Sequence, residues 1–225
     1  MSQSFSPIDE GMMRLSVDDV IDRIENLIFH GEYTAGMRLP EQRLCDTFGV
    51  GRGVLREAIR TLEGRGLLVR VPNAGVNVVD LSIDEIEQLM TIRESLEGMA
   101  ARLAAEYMTL HEVRQLRAAA QDLEQLGTQA SEAIFSVEAQ QDFHRLIVLG
   151  SRNKWIINLL CRDYYILMRL CRMRAGKLRR DRPEIHDEHL KIVDCIERRD
   201  GDGAEDLMRA HARHSRERLL MALRT

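Results

Sequence analysis

Hydrophobic residues return every three or four positions from the start of the patterned chain: Val17, Val20, Ile21, Ile24, Leu27 and Ile28. That period predicts an amphipathic helix, opened by Ser16 with Asp19 three residues on as a capping box and closed near His30-Gly31. A short second helix is expected over about 41–48, stopped by Gly49, and a third over about 52–65, stopped by Gly66. The period then changes. Leu67-Leu68-Val69-Arg70-Val71, a turn from Pro72 to Gly75, and Val76-Asn77-Val78-Val79 predict a small β-hairpin. From Ser82 the pattern is helical to the end, with Ser82/Glu85 and Thr109/Glu112 as further capping boxes. Helices are placed at about 83–107, 110–126, 131–149, 154–176, 184–199 and 203–223, with breaks at Gly127, Gly150 to Asn153, Pro183 and Asp200 to Gly203. The chain is therefore expected to be mainly α and to divide near residue 80: 1–80, with residues 1–12 a flexible tail, and an all-α helical bundle over 81–225.

Composition narrows the class without naming a function. The 225 residues are 44% hydrophobic and 30% charged, enough apolar material for a core and too much for a disordered chain. No run approaches the roughly 20 apolar residues of a membrane helix, and the first residues lack the basic start and apolar core of an export signal, so a cytoplasmic protein with no membrane partner is expected. Cys45, Cys161, Cys171 and Cys195 form no CxxC pair and sit in apolar helical patterns, as reduced core residues do. The net charge of -4 argues against a protein that coats nucleic acid nonspecifically. Its distribution matters more than its sum: residues 1–80 carry 9 basic and 12 acidic residues, whereas 51–70 carry 5 basic and 2 acidic.

The segment Glu41 to Ile59 has the steric signature of a helix-turn-helix. A close helix crossing needs a small residue in the first helix and a glycine in the turn, which Cys45 and Gly49 supply, with Leu44, Phe48, Val50, Leu55 and Ile59 expected to be buried. The hairpin that follows makes the arrangement winged. Arg52, Arg56 and Arg60 recur every four residues, forming one cationic stripe opposite the buried positions, as suits entry of a helix into the major groove. These residues resemble a known family. Leu39-Pro-Glu-Gln-Arg-Leu-Cys-Asp-Thr-Phe-Gly-Val-Gly-Arg-Gly-Val-Leu-Arg-Glu-Ala-Ile59, with Leu62-Glu63 and Gly66-Leu67-Leu68, is similar to the winged helix-turn-helix signature of GntR-type bacterial transcription regulators. The resemblance implies DNA contacts from Arg52 and Arg56 and from the wing-tip Gly75. Three positions depart from it: Gly51 replaces the hydroxyl that caps the helix and touches a phosphate, Gly53 replaces a Thr, and Gln42 stands where Arg is common. Arg43, one position along from Gln42, is the candidate substitute.

In the helical half, polar residues fall on stripes expected to face inward. The first long helix presents Ile86, Leu89, Arg93, Leu96, Ala100, Leu103 and Tyr107 three or four apart, which puts Arg93 among apolar residues. A buried Arg needs an anion, either Glu97 one turn on or a ligand carboxylate. His144, His189 and His211 each sit on such a stripe, and imidazoles converging inside a bundle suit Zn²⁺, Ni²⁺ or a similar cation. His186 and His214 lie three residues from two of them, as supporting or exposed groups. The basic stretch Arg162 to Arg182 is either an anion site or a solvated helix end.

Arg93-Glu-Ser-Leu-Glu97, Asp142-Phe-His144, Gly150-Ser-Arg-Asn153, Glu188-His189 and Ala210-His211 resemble the FCD effector-binding domain of the FadR-type branch of the same family. That resemblance implies a divalent metal held by His144, His189, His211 and an Asp, and an organic-acid effector that reaches the metal or Arg93. The Asp position, four before His144, is Gln140 here. Asp142 does not replace it, because two residues turn a side chain by about 200° around a helix. The expected function is a homodimeric, sequence-specific DNA-binding transcription regulator, not an enzyme, whose helical domain binds a small carboxylate and acts on paired DNA modules through the 80–84 linker. The competing readings are a metal-dependent helical enzyme and a pure metal sensor.

Overall fold

The computed structural model describes residues 15–127, 143–174 and 183–224. It separates into two compact units, one holding residues up to Gly64 with Leu68–Val78, the other Arg65–Leu67 with Val79 onward.

In the first unit, α1 (Val17–Phe29) starts at the Ser16/Asp19 capping box, in which Ser16 Oγ accepts from the Asp19 amide and the Asp19 carboxylate accepts from the Ser16 amide. It buries Val20, Ile21, Ile24 and Ile28. The second helix, α2 (Glu41–Phe48), buries Leu44, Cys45 and Phe48. Gly49 ends it in the left-handed region at φ 66°, where a side chain would be strained, and hands the chain to α3 (Arg52–Gly64). Leu55, Ala58, Ile59 and Leu62 of α3 complete this core, while Val50 is only half-buried, being held in the turn rather than in either helix. The wing is β1 (Leu68–Val71) paired antiparallel with β2 (Gly75–Val78), Leu68 opposite Val78 and Val71 opposite Gly75.

The second unit is all-helical. Its elements are α4 (Ile83–Tyr107), α5 (Leu110–Gly127), α6 (residues 143–150), the long α7 (Lys154–Ile157, Asn158–Tyr164 and Tyr165–Arg174), α8 (Pro183–Glu197) and α9 (Gly201–Arg224). The middle segment of α7 is π-helical. Ser82/Glu85 and Thr109/Glu112 both make reciprocal caps. The predicted break at Asp200 to Gly203 falls instead at residues 198–200: the preceding helix stops at Glu197, Arg199 takes a left-handed φ of 62°, and the Asp200 carboxylate accepts from the Gly203 amide, so α9 starts two residues early.

The inward face of α4 differs from the expected stripe. Met90, Arg93, Glu97, Gly98, Ala100, Ala101, Ala104 and Ala105 are buried, whereas Leu89, Leu96 and Leu103 are half-buried and Tyr107 is exposed. The reason is the close pairing of α4 with α9: a Cβ on Gly98 would lie 2.6 Å from Arg209 Cγ, so small residues rather than leucines occupy the crossing. At the next corner, Gly150 lies against Met108, Ser151 Oγ accepts from the Asn153 amide, and Asn153 Oδ1 accepts from Trp155 and Ile156 to cap α7. Gly150-Ser-Arg-Asn153 is thus a helix stop and restart.

Among the described residues the four cysteines are free, with Cys45, Cys171 and Cys195 buried and Cys161 half-buried. No described helix is long and apolar enough to cross a membrane.

Candidate functional site

Two candidate sites follow from these folds. On the first unit, Arg52, Arg56 and Arg60 are all exposed along α3, opposite its buried residues. Arg60 pairs with Glu57 at 3.7 Å. Arg52 is held by a residue from α2: its Nη2 donates to Gln42 Oε1 at 2.8 Å, and Gln42 Nε2 donates to Asp46 Oδ1 at 3.0 Å. Gln42 thus orients Arg52, a role invisible in a departure from a motif and readable only once α2 and α3 are brought together. A cleft lined by Glu41, Gln42, Cys45, Arg52, Leu55 and Arg56 lies at this junction. Arg43 is exposed on α2, about 100° round the helix from Gln42. Gly51 caps α3 with its backbone alone, its carbonyl accepting from the Leu55 amide at 3.3 Å. At the wing tip, Gly75 has φ 89°, and the place a Cβ would take is 3.1 Å from Arg38 Nε. Arg38 therefore sits beneath the wing, a second cation that the motif did not bring forward.

In the helical unit, Arg93, Glu97, His144, His189 and His211 are all buried. The three histidines, from α6, α8 and α9, offer nitrogens within 4.8 Å of one another. Arg93 spends its fork on three partners. Nε donates to Glu97 Oε1 at 3.0 Å, Nη1 to Ser215 Oγ at 3.0 Å, and Nη2 meets His144 Nε2 at 3.2 Å. Glu97 Oε1 also accepts from the Tyr165 hydroxyl at 3.3 Å, and Oε2 lies 3.0 Å from His144 Nδ1. Of the two anions the sequence allowed for Arg93, the protein supplies Glu97. His211 Nδ1 donates to Glu188 Oε2 at 2.7 Å, and His214 Nδ1 to the other oxygen at 2.6 Å. His214 is therefore a supporting group, whereas His186 Nδ1 bonds the Ala120 carbonyl at 3.1 Å.

Electrostatics then set the tautomers. Burial works to raise the Glu97 pKa, but Arg93 and His144 outweigh it and hold the carboxyl well below its usual range. Burial likewise opposes ionisation of Glu188, and the His211 and His214 bonds overcome it, bringing it to about 2. Burial keeps the imidazoles neutral: His144 is shifted down, His189 well below its ordinary value, and His211 to about 4 despite the opposing pull of Glu188. A neutral imidazole with an ionised carboxylate at Nδ1 carries its proton there and a lone pair at Nε2. His211, with Nδ1 on Glu188, thus keeps a lone pair at Nε2, whereas the 3.0 Å approach of His144 Nδ1 to Glu97 Oε2 makes no hydrogen bond and His144 Nε2 meets Arg93 Nη2. His189 is not fixed in this way: its Nε2 is 3.3 Å from His211 Nε2, and its buried Nδ1 has no hydrogen-bond partner. Phe143 stacks on its ring at 4.1 Å between centroids.

A small cavity of about 10 Å³, room for about one water, adjoins the triad at His144 and is lined by Arg93, His144, Tyr164, Tyr165, Met168 and Arg172. The π-helical stretch of α7 ends on Tyr164, and both adjacent tyrosines are buried against this cavity. Of the basic stretch Arg162 to Arg182, Arg172 reaches the cavity and Arg174 pairs with Asp80 at 2.7 Å, while 175–182 lie outside the described residues. Gln140 and Asp142 also lie outside them.

Comparison with known proteins agrees with both halves. The family model described as FCD domain matches residues 88–214, and that described as bacterial regulatory proteins, gntR family, matches residues 16–78. The chain is 28% identical over 198 residues to the uncharacterized HTH-type transcriptional regulator YdhC of Bacillus subtilis (strain 168), covering 88% of each. It is 28% identical over 218 residues to the HTH-type transcriptional repressor NanR of Enterobacter sp. (strain 638), covering 86% of this chain and 81% of that one. It is 27% identical over 217 residues to the putative L-lactate dehydrogenase operon regulatory protein of Escherichia coli (strain K12), with 88% and 83% covered. Among solved structures, E. coli McbR/YncC shares the fold at a TM-score of 0.77 with 17% identity, covering 91% of this chain and 97% of that one. A putative GntR regulator from Rhodococcus sp. RHA1 does so at 0.75 with 20% identity, over the same shares.

Proposed function

The chain belongs to the GntR family of bacterial transcription regulators, with an FCD domain after its DNA-binding domain, and from that premise we propose that it is a homodimeric repressor-type regulator whose operator binding responds to a small carboxylate held at a divalent cation. The relatives and shared folds are those of transcription regulators rather than enzymes, so the triad is read as a sensing site.

One observation carries the cation: three buried imidazoles from α6, α8 and α9 bring nitrogens within 4.8 Å of one another, and the Glu188 carboxylate holds the His211 proton on Nδ1, which leaves its Nε2 lone pair beside His189. Neutral buried imidazoles suit Zn²⁺ or Ni²⁺, and His144, His189 and His211 are the residues that would hold it. The bound cation would supply a Lewis-acidic point for an oxygen ligand. Charge balance favours an acid as that ligand. The buried Arg93–Glu97 pair is neutral as a pair and the Glu188 carboxylate on His211 offsets one charge of a dication, which leaves about one positive charge for an anion to offset.

On the DNA side, Arg52 and Arg56 are read as the groove contacts, with Gly51, Arg43 and the Gly75 wing tip meeting the backbone. The outward stripe of α4 supports a dimer: Ile92, Met99 and Tyr107, at 54%, 45% and 49% exposure, recur at helical spacing on the face turned away from the bundle. A cytoplasmic location accords with this role.

The test is metal analysis of the purified protein with a thermal-shift screen of divalent cations and small carboxylates, followed by gel shifts on the DNA upstream of its own gene. Stabilisation by a cation and further by an acid, with operator binding altered by both, is the expected result. No stabilisation by any cation would refute the sensing site, and equal binding to random DNA would refute the operator reading.

A further inference from the structure

The wing has a third line of backbone beside its hairpin. Residues 36–39 run antiparallel to β2: the Leu39 amide donates to the Val76 carbonyl at 2.8 Å, the Val78 amide to the Met37 carbonyl at 2.9 Å, and the Gly36 amide to the Val78 carbonyl at 3.0 Å. Arg38 lies opposite Asn77 in that register. Residues two apart on a strand share a face, so Gly75 and Asn77 belong to one side of β2, and Arg38 joins them there. Gly75 has no side chain on that side, and the Arg38 guanidinium takes the space. Its Nε lies 3.1 Å, its Nη2 3.4 Å and its Cζ 3.6 Å from the point a Cβ would occupy. Gly75 therefore serves two ends: its φ of 89° shapes the turn, and its missing side chain lets a cation lie along the wing tip.

That cation is the charge the wing has to offer. The turn itself, Pro72-Asn73-Ala74, carries none. The other arginine of the wing, Arg70 on β1, is engaged within the protein, with Nε 3.1 Å from Glu63 Oε1 and Nη1 4.0 Å from Glu41 Oε1. Arg38 is exposed, and among the described residues its side chain makes neither an ion pair nor a hydrogen bond. An exposed guanidinium with no counter-ion adds nothing to folding by pairing, but it stands ready for an anion that a partner brings. Its reach decides which anion. The stem runs along the strand, so the guanidinium stands level with Gly75 and does not project past the turn. A phosphate at the rim of a groove meets it at that height, whereas base edges lie deeper.

We propose that Arg38 supplies the wing's charged contact with DNA: its guanidinium, laid along Gly75, pairs with a backbone phosphate at the groove the wing tip approaches, adding affinity without sequence preference. This rests on the reading that α3 and the wing bind DNA.

The experiment follows binding of the full-length protein, by fluorescence anisotropy, to a duplex from upstream of its gene and to a random duplex of equal length, between about 50 and 200 mM KCl. Arg38→Gln removes the charge and keeps much of the stem, Arg38→Lys keeps the charge, and Arg56→Gln tests α3. For each wing engaged, Arg38→Gln is expected to weaken binding about tenfold on both duplexes alike and to flatten the slope of log K against log salt by about 0.9, while Arg38→Lys keeps the wild-type slope. The urea midpoint should not move in either variant. Arg38→Gln that binds like wild type, while Arg56→Gln loses binding, overturns the Arg38 contact and leaves the DNA reading standing. A loss confined to the upstream duplex with an unmoved salt slope assigns Arg38 to a base and overturns the phosphate contact. A lowered urea midpoint with an unmoved slope makes Arg38 a structural residue and overturns it equally. Wild type that binds neither duplex overturns the DNA reading and the contact with it.

Discussion

Replacing Glu97 with Gln tests the buried network without changing its shape. Glu97 and Arg93 are each 1% exposed, and their 3.0 Å contact is sealed from water, so the pair is screened little. In Glu97→Gln the amide oxygen still accepts from Arg93 Nε and the Tyr165 hydroxyl. The amide NH2, however, falls where Oε2 faced His144 Nδ1, and two donors then confront each other. Relief comes from moving the His144 proton to Nε2, which in turn sets an N–H against Arg93 Nη2. The variant therefore leaves a buried guanidinium without its counter-charge and one hydrogen bond short in either tautomer. Breaking a buried pair in this way costs about 3–5 kcal/mol. At roughly 2–4 °C per kcal/mol for a chain of this size, the melting point falls by about 10 °C. The same proton shift turns an N–H toward the triad, and loss of an orienting carboxylate typically costs 10–100-fold in metal affinity. Urea unfolding followed by helical circular dichroism reads the first effect, and zinc calorimetry the second. Asp202→Asn, at the exposed Arg102–Asp202 pair, is the control and should leave the midpoint in place. A Glu97→Gln protein within about 1 kcal/mol of wild type would refute the claim that these charges depend on each other.

Further outcomes follow from single positions. Gly53 lies inside α3 with open space where a Cβ would go and no positive φ, so Gly53→Ala should stabilise the DNA-binding unit by about 0.5–1 kcal/mol in urea unfolding, and a loss of stability would mean a contact has been missed. Gln42→Ala removes the group that holds Arg52 while touching no core residue. The unfolding midpoint should stay unchanged, while the preference for operator over random DNA drops about tenfold in competition gel shifts, with an unaltered salt slope; a preference equal to wild type would remove Gln42 from the reading mechanism. In excess chelator, acid should destabilise the helical unit early. The folded pKa values of His144, His189 and His211 lie below the ordinary 6.5, so their neutral forms add stability that is complete above about pH 6.5 and lost as pH falls, for His211 through about 4, at roughly 1.4 kcal/mol per pH unit for each histidine titrating. Stability that stays flat from pH 6.5 to 5 would show that the imidazoles are not buried neutral.

What the sequence carried and what it hid divide along physical lines. Capping boxes act within three residues and helix periods within a few turns, so Ser16/Asp19, Ser82/Glu85, the Gly49 turn and the inward placement of His144, His189 and His211 were legible. The Arg93–Glu97 pair was legible as one of two choices because i,i+4 spacing puts both on one face. Contacts between elements were not. Arg93 meets His144 across 51 residues and Ser215 across 122, and no local rule selects those partners. The face of α4 was misassigned for a different reason. Its apolar residues run nearly all the way round, so hydrophobicity alone favoured the leucines, whereas the close approach of α9 selects alanine and glycine. The π-helical stretch Asn158–Tyr164 is also silent in the sequence, since one extra residue per turn leaves the composition unchanged.

The two anions weighed for Arg93, Glu97 and a ligand carboxylate, turn out not to exclude each other. A guanidinium has five N–H donors in a rigid plane, and here three separate nitrogens face three separate partners. One edge settles the buried charge through Glu97, which any folded state of this core requires. Another faces His144, whose Nε2 lies 3.2 Å from Nη2. Lysine would satisfy the first demand and not the second, because an ammonium on a flexible stem cannot span both. Arginine at position 93 is thus required by the site's chemistry as well as by the stability of the core. The two demands come apart in a pair of substitutions: charge loss at Glu97 weakens folding, while Arg93→Lys, which keeps the charge and loses the fork, should free His144 Nε2 and leave folding largely intact.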